Sequence, residues 1–422
     1  MNASPPQPPR APSSRLKRRN PLVALKPPLV PPFARSRAAQ GLTAAAALGV
    51  FALQRCETCG AVQYPPRDAC VQCLSPRLRW RPTEDTGELL SETLIRHGQE
   101  VYFRERAPWR VGLVRLDCGP SAIVALHGDC APAPSRLRLR LALDKSGQAL
   151  MIALPEKDTP DMAEDPLVRE TTCAPRARKV LVTDAKTKVG RAMVEALVAA
   201  GADLVWAGYA APWKPSPHLE ALGALEGVTL VPLDVTDESS VLELAGSIGG
   251  KVDILVNTAE YHRPGSIASR GGVATARTEM EVNYFGLLRL SQSFMAALKA
   301  RAADGPASAT AWVNILSVHA LSNDPAHGTF SASKAAAFSL AQALRADLQA
   351  SGIRVINVFP GSIDDEWNAR EAPPKLSPAA LAKAVVEALE RGLEDVYPGE
   401  VAKDVMARFL ENPKALEREL AG

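Results

Sequence analysis

The chain has 422 residues, 46% apolar and 23% charged, with a formal net charge of +3. That length is more than one small domain needs, and the ordinary apolar fraction excludes a wholly disordered or fibrous protein. The charge is uneven. Residues 1–40 hold eight Lys or Arg and no acid, leaving 41 basic against 46 acidic residues in the body. A slightly acidic body gives no electrostatic reason to expect nucleic acid.

Taken in chain order, residues 1–40 also contain ten prolines. Such a segment cannot bury enough apolar surface to offset its ordering entropy, so a disordered tail is expected. The apolar run Gly41–Leu53 is too short to span a bilayer and reads as a packed helix. A cytoplasmic protein without a membrane segment is expected. Residues 41–80 then contain Cys56, Cys59, Cys70 and Cys73 in the spacing C-x2-C-x10-C-x2-C. Two CxxC knuckles direct four thiolates inward, which predicts a tetrahedral structural zinc with no open catalytic position. Cys118, Cys130 and Cys173 are scattered and read as buried small hydrophobes.

Residues 81–154 show short alternating stretches at Gly87–Ile95, Tyr102–Phe103, Arg110–Leu116, Ser121–Leu126 and Arg136–Leu141. Period-two patterning with regular turns predicts a small antiparallel barrel of OB type. Arg136, Arg138 and Arg140 alternate along one strand. They are either a solvated face or a patch for the phosphates of CoA. OB barrels also bind single-stranded nucleic acid, but only Tyr102, Phe103 and Trp109 offer aromatic platforms here. Residues 155–177 are acidic, proline-rich and aperiodic, and read as a linker.

From residue 178 onward strand-like and helix-like runs alternate. Strands are expected at Lys179–Thr183, Asp203–Ala207, Thr229–Leu233, Asp253–Asn257, Ala311–Ser317 and Arg354–Phe359. Helices are expected at Val189–Ala200, Ser239–Ile248, Glu279–Ala302 and Ser331–Ala350. This pattern predicts a doubly wound parallel sheet over 178–422, with a ligand crevice outside the strand C-termini.

Two resemblances follow from these residues. "LQRCETCGAVQYPPRDACVQC", "GELLSETLIRHG" and "VGLVRLDCG" resemble the zinc-ribbon/OB-fold (DUF35) family found beside thiolases and aldolases. That resemblance implies a module that handles an acyl-CoA or docks on a thiolase-like partner. "LVTDAKTKVG", "LDVTD", "DILVNTAE", "EVNYFG", "VNILSV", "FSASK" and "VFPGSI" resemble the short-chain dehydrogenase/reductase (SDR) family along nearly the whole second half. The family's cofactor positions fall on Thr183, Gly190, Asp234 and Asn257. Its catalytic Asn, Ser, Tyr and Lys fall on Asn283, Ser317, Phe330 and Lys334.

The departures within that resemblance are chemical. Phe330 stands where the family's proton-donating tyrosine stands, and phenylalanine has no proton to give. Of the phosphate-loop glycines only Gly190 survives. Asp184 sets a negative charge beside the pyrophosphate position, which Lys186 and Lys188 could offset. No acid or arginine follows the second strand to select NAD or NADP. Asp234 is either an adenine contact or a routine helix cap. Glu260 replaces a glycine beside the nicotinamide ribose. Together these features argue against NAD(P) binding and predict a non-redox scaffold or partner subunit of a thiolase/dehydrogenase assembly. Such a chain pairs with itself or an SDR paralogue through the small-residue helix after Phe330. The alternative is an active NAD(P)-dependent oxidoreductase on a hydroxyacyl-CoA or oxoacyl-CoA. In that case His319 or His327 supplies the missing acid, unless both are ordinary loop histidines.

Overall fold

The computed structural model describes residues 30–32, 34–211, 217–269, 271–304 and 309–421. Most of the expected disordered tail lies outside the described residues. The apolar run 41–53 divides into helix α1 (Gln40–Ala47) and the start of strand β1 (Ala52–Cys56), which pairs with β2 (Val62–Gln63) and β3 (Leu78–Pro82). This three-stranded ribbon carries the cysteine knuckles.

The barrel follows. Its strands are β4 (Thr86–Ile95), β5 (Trp109–Leu116), β6 (Ser121–Leu126), β7 (Ser135–Leu143) and β8 (Ala149–Pro155), closed in the order β4-β5-β6-β8-β7. Ala122, Val124 and Leu126 alternate inward along β6, as a half-buried strand requires. One expectation is corrected. Tyr102 and Phe103 are not a strand but lie in the short helix α2 (Val101–Arg104), and the fifth strand is β8. Two residues are too few to show a period. The aromatic pair instead folds over the barrel wall, Phe103 lying 5.5 Å from the Trp109 ring.

The segment expected as a linker also has structure. Helix α3 (Pro166–Thr171) begins at Asp165, whose Oδ1 accepts the N–H groups of Leu167 and Val168. The segment packs between the two halves. Arg354, at the start of a sheet strand, donates to the carbonyls of Leu143, Asp144, Thr171 and Gly392 at 2.9–3.0 Å.

The second half is a seven-stranded parallel sheet. It consists of β9 (Lys179–Val182), β10 (Leu204–Tyr209), β11 (Val228–Pro232), β12 (Ile254–Asn257), β13 (Ala311–Ile315), β14 (Arg354–Val358) and β15 (Asp395–Val396), in the order β11-β10-β9-β12-β13-β14-β15. Strands β12, β13 and β14 are buried at every residue because helices cover both faces. One face meets α4 (Lys188–Ala199), α5 (Pro217–Gly223) and α10 (Pro378–Arg391). The other meets α6 (Glu238–Ile248), α8 (Gly286–Ala302), α9 (Gly328–Gln349), α11 (Gly399–Glu411) and α12 (Pro413–Ala421). The single helix expected over Glu279–Ala302 is broken. Helix α7 (Ala274–Met280) passes through a π-helical turn at Glu281–Phe285 before α8 begins. Asn283 sits on that turn, and such bulges often mark sites where a side chain must be re-aimed. The order reverses at β9/β12, which opens the crevice at their C-terminal ends.

Candidate functional site

The four ribbon cysteines converge. Cys56 and Cys73 sulfurs lie 3.6 Å apart, as do those of Cys59 and Cys70, and all four fall within 4.8 Å of one another. Zinc–sulfur bonds of about 2.3 Å in a tetrahedron put sulfurs about 3.8 Å apart, so the set fits zinc. Backbone N–H groups of Thr58 and Gln72 point at Cys56 Sγ and Cys70 Sγ. Gly60 closes the first knuckle at φ +78°. The N–H of Cys59 leads the effects that lower the Cys56 thiol to about 6, favouring the ligating thiolate.

In the crevice, Thr183 and Asn257 meet. Thr183 Oγ1 donates to Asn257 Oδ1 at 2.9 Å and accepts from the N–H groups of Thr258 and Ala259. They therefore clamp the loops after β9 and β12 to each other. Gly190 survives for a steric reason, since a Cβ there would lie 1.7 Å from the Asp184 carbonyl oxygen. The phosphate loop is filled by the chain's own groups. Asp184 Oδ1 accepts the Lys186 N–H, and burial first, then the Glu366 charge, lifts its carboxyl to about 6. The Lys186 ammonium reaches across to the carbonyls of Ala210 and Ala211 at 3.1 and 3.2 Å. Glu366 Oε2 lies 3.4 Å from the Lys188 N–H, at the helix N-terminus where a phosphate would sit. Asp234 forms a local turn, accepting from the N–H and hydroxyl of Thr236.

The four residues at the family's catalytic positions are all buried. Asn283 holds Tyr261 at both its N–H and its carbonyl, and donates to Ser333 Oγ at 2.8 Å. Ser317 Oγ caps the following turn at the His319 N–H. Lys334 Nζ donates to the Ile315 carbonyl at 3.0 Å and pairs with Glu260 Oε2 at 2.7 Å. Glu260, which stands at the family's glycine position, is thus an ion-pair partner of the lysine at the family's catalytic position. Phe330 stacks on His262, ring centroids 3.7 Å apart. His262 Nε2 lies 2.8 Å from His327 Nδ1, and His327 Nε2 lies 3.2 Å from Glu371 Oε1. His319 stacks on His327, and burial pushes its imidazole down to about 4, so it is neutral at pH 7.

Sequence reasoning missed His262, Asp365, Glu366 and Glu371. The last three lie in the loop after β14, an acidic run, "DDEWNARE", that could have been flagged as unusual beside a dinucleotide site. Asp365 is likewise raised to about 6 by burial, with Glu260 adding repulsion.

On the barrel, the three arginines of β7 each have a partner within the chain. Arg136 is bidentate on Asp117, with one contact at 2.9 Å; Arg138 pairs with Asp158; and Arg140 donates to Thr171 Oγ1. The concave feature is elsewhere. A mainly apolar cavity of about 730 Å³ lies between β5, β6, β8, α2, α3 and the segment around Arg35. Tyr102, Phe103, Trp109 and Leu150 line it, with Arg35, Arg106 and Lys145 among them. Arg106 is neutralised by Glu170 at 2.7 Å, whereas Lys145 has no ion pair among the described residues.

Family models place these features. Residues 178–375 match the short chain dehydrogenase model, residues 43–79 the ChsH2 rubredoxin-like zinc ribbon domain, and residues 80–142 the ChsH2 C-terminal OB-fold domain. The short-chain dehydrogenase ptmH of Penicillium ochrochloron is 31% identical over 247 residues, 55% of this chain and 85% of the relative. Dehydrogenase/reductase SDR family member 7B of Mus musculus is 30% identical over 191 residues, 44% of this chain and 57% of its own length. A short chain dehydrogenase from Burkholderia cenocepacia J2315, solved in complex with NADP, superposes with a TM-score of 0.53 at 32% identity. The match covers 59% of this chain and 99% of that one. Among the described residues no helix is long and apolar enough to cross a membrane.

Proposed function

We propose that this chain, which belongs to the short-chain dehydrogenase family, is a CoA-thioester-associated protein whose dehydrogenase-like half no longer transfers hydride. The observation that carries this reading is the buried Lys334–Glu260 pair beside Phe330. In the family's chemistry a lysine tunes a tyrosine and holds the nicotinamide ribose. Here the tyrosine oxygen is missing and the ammonium already has a carboxylate and a carbonyl. Asp184 and Glu366 add negative charge where two phosphates would lie. Unit charges a few ångströms apart repel by about 1–4 kcal/mol each, depending on the effective dielectric.

The ribbon and barrel handle the thioester. The cavity lined by Phe103 and Trp109 has the apolar character an acyl group needs, and Lys145 gives it one cation for a polar end. Exposed CoA phosphates would be met at the rim, not by the paired arginines of β7. A thiolase-like enzyme or an intact SDR paralogue is the partner class, and α9, whose small residues Ala332, Ala335 and Ser339 are exposed, is the helix of the expected pairing.

The alternative, an active NAD(P)-dependent oxidoreductase on a hydroxyacyl-CoA or oxoacyl-CoA, is favoured by the dehydrogenase relatives and by His319 and His327 beside Phe330. One experiment separates the readings. Wild-type protein, Phe330→Tyr, and Phe330→Tyr with Asp184→Gly, Lys188→Gly and Glu260→Gly are assayed for NAD(P)H fluorescence change and 3-oxoacyl-CoA turnover. We expect no response from the first two, and binding only in the combined variant. Robust turnover by the wild type overturns the non-redox reading.

A further inference from the structure

The cluster that covers the vacated tyrosine position is not explained by loss of redox chemistry. Three segments far apart in sequence meet there: the loop after β12 brings His262, the turn before α9 brings His327, and the loop after β14 brings Glu371. His262 and His327 are 3% and 6% exposed. Each of the three offers one ligand atom, and those atoms lie within 4.8 Å of one another. We propose that His262, His327 and Glu371 form a second divalent-metal site, of the two-histidine, one-carboxylate type that accepts zinc.

Two independent features point this way. The first is the donor set. Two imidazoles and a carboxylate are a common zinc environment, and with three protein ligands the fourth position is left to water or a ligand oxygen. The second is charge. Glu260, Asp365, Glu366 and Glu371 lie on the two loops that frame the cluster, together with Arg263, Arg370 and Lys375, and Lys334 is already matched by Glu260. Burial first, then repulsion from Glu260 and Glu366, raises the Asp365 carboxyl. A divalent cation there would be met by carboxylates from both loops.

His327 faces His262 with Nδ1 and Glu371 with Nε2. An imidazole gives one nitrogen to a given metal, so binding exchanges one of these contacts for a metal bond of about 2.0–2.1 Å. Turning the His327 ring, and drawing Glu371 in on its loop, completes the set. The metal would sit beside Phe330, close to where the family's tyrosine oxygen acts.

The full chain is the object of the test. It is loaded with excess Zn2+, desalted, and its metal content measured per chain. Two equivalents are expected in the wild type, one in the ribbon and one here. His262→Asn and Glu371→Gln should each fall to one equivalent while Cys59→Ser keeps the second site. Co2+ loading separates the two spectroscopically: thiolate charge-transfer absorption reports the ribbon, and visible bands without it report the histidine site. Glu371 is on a partly exposed loop, so its variant tests the idea even if a histidine variant misfolds. Saturation at one equivalent in folded wild type, or a second equivalent unaffected by both substitutions, overturns the proposal and leaves a hydrogen-bonded relay.

Discussion

Removing Glu260 should unbalance a buried charge and, by the same act, make room for a dinucleotide. The Lys334 side chain is 2% exposed and that of Glu260 13%, and their charged atoms are 2.7 Å apart. In Glu260→Ala the ammonium keeps only the Ile315 carbonyl. Removing one partner of a buried pair costs about 3–5 kcal/mol, because the remaining charge stays desolvated. We place this variant near the lower end, since Glu260 borders the open crevice and water can enter. Glu260→Gln keeps an acceptor and should cost about 1–2 kcal/mol. Urea unfolding at pH 7 measures both. The freed ammonium is then available to ribose hydroxyls, so NADPH should stabilise Glu260→Ala once Asp184→Gly and Lys188→Gly have also cleared the phosphate loop, but not the wild type. A ligand at one hundred times its dissociation constant adds about 2.7 kcal/mol. Two results would refute the reasoning. Glu260→Ala within 0.5 kcal/mol of wild type, taken as roughly the size of an ordinary surface substitution, means the pair does not matter. Wild type stabilised by NADPH means the pair does not close the site.

Four further outcomes are expected. Chelation, or Cys59→Ser, should release the ribbon zinc and melt residues 52–82 without unfolding the sheet, seen as protease cleavage confined to the ribbon. Arg354→Ala removes donors to four carbonyls and should cost about 3 kcal/mol by denaturant unfolding, net of the desolvation it relieves. Asp184 and Asp365 are raised from 3.8 to about 6 in the folded state, so the native protein binds more protons than the unfolded chain between those values. Stability should therefore fall as pH rises from about 4 through 6, and Asp184→Asn with Asp365→Asn should flatten that slope. Replacing Trp109 with Ala should weaken calorimetric binding of long-chain acyl-CoA at least tenfold, while Arg136→Ala leaves it unchanged.

Legibility followed the range of the interaction. The cysteine knuckles are local, so spacing alone located the ligands. Phe330 and Lys334 share a helix turn inside a motif whose order is fixed, so their departure from the family was readable without coordinates. The parallel sheet was readable because fully buried strands are continuous apolar runs. What failed was short or distant. Tyr102–Phe103 carries no period, and β8 follows a turn at Gly147 in a stretch placed within the barrel domain but not assigned a strand. Glu260 looked like an obstacle because its partner, Lys334, is brought to it only by the sheet. His262 and Glu371 were silent for the same reason. Neither belongs to a motif, and only the convergence of two loops gives either a chemical context.

The Arg354 junction has an asymmetric design. Arg354 meets only main-chain oxygens: across the joint those at the end of β7 and in α3, and on its own side that of Gly392 after α10. Main-chain oxygens are present whatever residue carries them. The barrel side can therefore change its side chains freely, as a partner or a substrate demands, without loosening its seat on the sheet. Gln349 and Arg391 follow the same plan, donating to the Ser146 and Gly49 carbonyls, so the side-chain specificity of these contacts is vested in the sheet half.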